Sequence, residues 1–83
     1  MKFRKKPVVI EAVEWTGENH DEIHAFAGHH VRIIGPHAMC QTLEGAMTAV
    51  PGNWIIKGIK GEFYPCRADI FALTYEPVEE PAA

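Results

Sequence analysis

The tetrapeptide Gly58-Ile59-Lys60-Gly61, set between Trp54-Ile55-Ile56-Lys57 and Glu62-Phe63-Tyr64, constrains this chain more than any other feature. Runs rich in β-branched and aromatic residues on either side of a glycine-bounded turn read as a β-hairpin. A two-residue type I′ loop needs a positive φ at Ile59, which strains a β-branched side chain. A type I turn over Ile59-Lys60, with Gly61 left-handed as a G1 bulge, avoids that strain. This turn sets Gly58 opposite Glu62, Lys57 opposite Phe63 and Ile56 opposite Tyr64. Trp54, Ile56, Glu62 and Tyr64 then share one face, and Ile55, Lys57 and Phe63 the other. The second face suits a core, with Lys57 extending its stem to the rim. The first sets two aromatic rings with polar handles beside a carboxylate.

The remaining pattern predicts an α+β fold. Lys2 to Trp15 reads as a long first strand, with Pro7 at its start or on a sheet edge because it lacks an amide donor. Asn19 and Glu22 have capping-box spacing, Gly28 suits a helix C-terminus, and Ile23, Phe26 and Ala27 form one stripe, giving a helix at 19–27. His29 to Ile34 is a short strand closed by Gly35-Pro36. Ala38 to Leu43 and Ala46 to Val50 form a hairpin around Glu44-Gly45. After the turn Pro51-Gly52-Asn53 come strands Trp54 to Gly58 and Glu62 to Tyr64, the latter ended by Pro65. Cys66 to about Leu73 forms a short helix with Ile70 and Phe71 inward. The expected architecture is a small, mostly antiparallel sheet of about five or six strands, with one helix after the first strand and a short C-terminal helix. Residues 1–76 make a single domain and 77–83 a polar, proline-broken tail.

Composition excludes several classes. The chain has 83 residues, 47% of them hydrophobic and 23% charged, which is the balance of a folded globular chain. A net charge of −3 argues against a polycation that coats double-stranded nucleic acid. No apolar stretch approaches a membrane span, and the N-terminal residues lack the pattern of a signal peptide, so the expected location is the cytoplasm. The sequence contains no serine, which removes serine-nucleophile mechanisms. Cys40 and Cys66 form no C-x-x-C pair and are expected as free, mostly buried thiols.

The candidate binding residues centre on the hairpin. Trp54 and Tyr64 can form an aromatic platform with Glu62 accepting hydrogen bonds from a ligand edge, and Trp15 can join it. The alternative is that a helix covers these rings and they are core. Lys57, Lys60 and Arg67, if they converge, make an anion clamp for a nucleotide phosphate. Lys2, Arg4, Lys5 and Lys6 hold half of the eight positive charges, and either bind phosphate or an acidic partner or protect a strand edge from aggregation. His20 and His24 share a helix face, and His29 and His30 on a strand would point oppositely; neither pair has a diagnostic metal spacing. No cofactor, metal or catalytic motif is expected. A small hydrolase would need Cys40 or Cys66 as nucleophile with a histidine base, or Glu11 and Glu62 as paired carboxylates.

The block Pro51-Gly52-Asn53-Trp54-Ile55-Ile56-Lys57-Gly58-Ile59-Lys60-Gly61-Glu62-Phe63-Tyr64-Pro65-Cys66 resembles a group of small phage and prophage proteins. Their shared stretch reads roughly P-G-D-W-I-I-x-G-x-x-G-E-F-Y-P-C, and their N-termini often carry K-K-P-V-x-I-E-A, as Lys5 to Ala12 does here. The resemblance extends through Asp69-Ile70-Phe71 and Thr74-Tyr75-Glu76 and leaves out residues 17–41 and the tail. Asn53 replaces the usual aspartate, which preserves the turn but removes a charge. The resemblance implies a phage or prophage origin, and small phage proteins of this kind commonly occupy a host enzyme, a defence protein or a nucleotide signal. The expectation is a non-enzymatic binding protein of the host cytoplasm, forming a homo-oligomer and sequestering a nucleotide-like ligand. The alternative is a protein-interaction or virion-assembly role with no small-molecule ligand.

Overall fold

The computed structural model describes residues 1–4 and 8–78. Six strands and two α-helices follow in the order β1 (Glu11–Glu14), α1 (His20–Ala27), β2 (Val31–Ile34), β3 (His37–Thr42), β4 (Gly45–Ala49), β5 (Trp54–Lys57), β6 (Phe63–Cys66) and α2 (Ala68–Thr74). The fold is α+β, with the strands in two antiparallel three-stranded sheets rather than one, ordered β1-β5-β6 and β2-β3-β4. β6 lies against β3 and β4 of the other sheet. Between the sheets and α1 sits a core of Trp15, Ile23, Ala27, Val31, Ala38, Cys40, Ala49, Ile55 and Phe63.

The β5–β6 turn has the expected geometry. Gly61 has φ of +82°, Ile59 stays at negative φ, the Gly61 N–H donates to the Gly58 carbonyl at 3.0 Å, and the Gly58 N–H donates to the Glu62 carbonyl at 2.7 Å. Ile56 pairs with Tyr64 and Lys57 with Phe63. The strand does not stop at Pro65, which pairs with Ile55. Pairs alternate between hydrogen-bonded and non-bonded, and with Gly58–Glu62 bonded, Ile55–Pro65 falls in the non-bonded class. Its missing N–H therefore costs no ladder bond, and a proline is tolerated on this edge strand.

Several other expectations are corrected. β1 is four residues long, Glu11 to Glu14, and its partner β5 ends at Lys57, where the chain enters the hairpin turn. Lys5, Lys6 and Pro7 lie outside the described residues. Asn19 does not cap α1 with its side chain; its Oδ1 accepts from the Thr16 N–H and hydroxyl, both at 2.9 Å, while Nδ2 donates to Glu22 and to the Glu14 carbonyl, both at 2.7 Å. Gly28, at φ +58°, leads into a 3-10 turn over Gly28–His30, so β2 begins only at Val31. His29 and His30 therefore stack, with centroids 4.4 Å apart, instead of pointing oppositely, and His30 stacks on Phe63. The β3–β4 turn falls on Leu43-Glu44, one residue early, with the Thr42 hydroxyl donating to the Gly45 carbonyl. In α2, Phe71 is half-buried but Ile70 is 48% exposed, so Ile70 does not face inward.

Candidate functional site

The hairpin register puts Trp54, Ile56 and Tyr64 on the face of β5–β6 turned away from the main core. Ile56 is fully buried there, Trp54 and Tyr64 are half-buried, and Glu62 is exposed. The cover comes from α2 and the residue after it. The Phe71 ring lies parallel to Trp54, centroids 4.3 Å apart and planes 3° off, and Tyr75 follows Phe71 at 5.1 Å. Phe71 and Tyr75 are four residues apart, the spacing that brings side chains onto one helical face. Tyr75 in turn hydrogen-bonds Tyr64. Burial first, and then that hydrogen bond and the neighbouring Tyr75, Glu62 and Cys66, push the Tyr64 phenol up to about 12. The three hairpin residues thus share a side, but Phe71 already occupies one face of the indole.

Beside this cluster runs a groove of about 890 Å³, within the range of roughly 300–1,000 Å³ typical of ligand sites. The six consecutive residues Val8 to Val13 line it, with Phe26 of α1 on one side and Trp54, Phe71 and Tyr75 on the other. Glu11 to Val13 lie on β1 and point to alternate faces, so their shared place in the lining means that the groove follows the edge of β1, with Val8 to Ile10 continuing it from the chain before the strand. β1 is the outer strand of its sheet. The Trp15 N–H bonds the Asn53 carbonyl at 2.8 Å, and the alternation from there turns Val13 and Glu11 towards β5. The N–H and C=O of Ala12 consequently face the open edge. Asn19 closes the far end by donating to the Glu14 carbonyl. The ionisable carboxylates lining the groove are Glu11 and Glu76, and Lys57, Lys60 and Arg67 are not among its lining residues.

The expected site residues therefore separate. Trp54 enters the groove, while Tyr64 and Glu62 line a smaller depression of about 210 Å³ with Ile10, Gly58 and Tyr75. Lys57 sits exposed on the core side of the hairpin, Lys60 in its turn, and Arg67 bonds Asp69 at 2.9 Å, so the cations form no clamp on the aromatic face. Trp15 is fully buried in the main core, with its Nε1 donating to the Pro36 carbonyl at 2.9 Å, and takes no part in the aromatic face. Glu11 and Glu62 fall on opposite faces of the sheet and make no carboxylate pair. Burial raises the Cys40 thiol to about 11, and burial with Asp69 raises that of Cys66, so neither is an activated nucleophile. Among the described residues no group of three or more His, Cys, Asp or Glu side chains is placed to hold a metal ion, and no helix is long and apolar enough to cross a membrane. Sequence reasoning missed the edge residues Val8 to Ala12 and Tyr75. The four-residue step from Phe71 to Tyr75 was the available signal for the second. Comparisons with family models, curated proteins and solved structures find no match to this chain.

Proposed function

We propose that this chain is a non-catalytic binding module whose groove takes an extended, apolar and basic segment of another protein. The observation that carries the reading is the open edge of β1 running between two aromatic walls. An added strand would hydrogen-bond to that edge and set alternate side chains into the flanking apolar surface. Val8 and Val9, in the chain just before β1, are 44% and 74% exposed beside it and add apolar surface for such a segment to cover. Glu76, and Glu11 with Lys57 across from it in the sheet, are the carboxylates that cationic residues of the partner would meet.

A nucleotide is the weaker fit. A phosphate entering the groove would meet these two carboxylates, with none of Lys57, Lys60 or Arg67 in the lining, and one face of the Trp54 indole is already taken by Phe71. The likeness of the Pro51 to Cys66 block to small phage and prophage proteins supports a target in the host cell, a host or defence protein of the cytoplasm. The raised thiols argue against a cysteine nucleophile.

Tryptophan emission during titration with synthetic peptides tests the reading, because Trp54 lines the groove and Trp15 is sealed in the core. A peptide alternating valine and lysine is expected to give a saturable change that Trp54→Phe abolishes, and one alternating valine and glutamate none. Silence with both peptides, or saturable binding of a cyclic or linear nucleotide instead, overturns it.

A further inference from the structure

The occupant that the groove calls for has the chemistry of this chain's own first residues. Met1-Lys2-Phe3-Arg4 places an aromatic ring between two cations, and Phe3 is 88% exposed, with Met1 exposed beside it. The ring does not rest in the groove of its own copy. Resting on the reading of that groove as a segment-binding site, we propose that residues 1–4 of a second copy lie along the open edge of β1. Phe3 enters the apolar cleft, and Lys2 and Arg4 lie near Glu11 and Glu76.

Charge selects this arrangement over the simpler pairing of two β1 edges. Two β1 edges paired antiparallel through the outward groups of Ala12 would set Glu11 of each copy on the same face, as diagonal neighbours within reach of each other, and would add no cation between them. The basic segment supplies one. Reciprocal exchange of two such segments gives a closed, two-fold dimer. Two four-residue segments bury less than the roughly 1,200–2,000 Å² of a standard stable interface, so the association is weak and concentration-dependent.

Sedimentation velocity of the full chain over the micromolar range tests the inference, using charge-swapped variants checked by circular dichroism. The expected result is an average mass that rises towards a dimer with concentration, falls with added salt, and stays monomeric in Phe3→Ala. Lys2→Glu with Arg4→Glu in one chain, and Glu11→Lys with Glu76→Lys in another, should each be monomeric alone and associate on mixing. A parent chain that stays monomeric throughout, or one whose association survives Phe3→Ala, overturns the inference. Failure of two folded charge-swapped chains to associate on mixing overturns it as well. Phe3→Ala keeps the test decisive if the groove variant does not fold, because Phe3 is almost wholly exposed in the monomer. The valine–lysine peptide separates the two claims. A monomeric chain that binds it loses only the second-copy inference, and a chain that neither associates nor binds it loses both.

Discussion

At the scale of single residues, Gly61 does most to fix which side chains meet. Its φ of +82° closes the bulge that puts Trp54 and Tyr64 on the same side of the hairpin. A side chain there enters the left-handed region at a cost of about 1–2 kcal/mol. Gly61→Ala should lower stability by that amount in urea unfolding, and Gly61→Asn by less, since asparagine tolerates this conformation. Equal losses in the two variants would mean that the backbone is not what the glycine serves. This turn was legible in the sequence because a single steric conflict, at Ile59, eliminated its competitor. The β3–β4 turn held no such conflict, and the expectation there missed by one residue. Tyr64 carries a second residue-scale prediction. Its phenol lies at about 12 against an ordinary 10.0, so between those values the folded chain keeps a proton that the unfolded chain has released. Stability should hold below pH 10 and fall as the pH rises through that window. Urea midpoints across it should show the decline, and Tyr64→Phe should flatten it; an unchanged slope would contradict the packing described for the ring.

Among the elements, α2 is the least secured. It has seven residues, none of them buried, and no side-chain cap at its N-terminus, whereas α1 buries Ile23 and Ala27. Its main attachments are the Phe71 stack on Trp54 and the Tyr75 contacts just beyond its end. Few buried contacts mean local opening below the cost of global unfolding. Amides of α2 should therefore exchange with solvent faster than those of β5, and Phe71→Ala should lower the local opening free energy by about 1 kcal/mol. Exchange of α2 only together with β5 would refute this. The helix itself was readable from composition, but its orientation was not. In so short a segment either Ile70 or Phe71 can supply the buried side, and the flat indole opposite decides for the ring.

Across the whole molecule, what sequence could not give was the long-range arrangement. Hairpins are specified by neighbours, so β5–β6 was recoverable. The pairing of β1 with β5 joins residues some forty positions apart, a contact that local patterns do not encode. That pairing buries Trp15, expected as a possible ligand contact, because its backbone bonds Gly52 and Asn53 and draws the indole under the Gly35-Pro36 turn. The same pairing leaves β1 outermost and creates the groove, which no hydrophobic periodicity could announce. The candidate site was thus half visible: Trp54 was anticipated, and the edge beside it was not.

The most direct measurement is to locate, amide by amide, where the valine–lysine peptide protects the chain from hydrogen exchange. The account predicts slowed exchange at Ala12 and its neighbours along β1 and in α2, with β3 and β4 unchanged. Protection confined to β2, β3 and β4, or to the Lys60 turn with β1 unaffected, would contradict it.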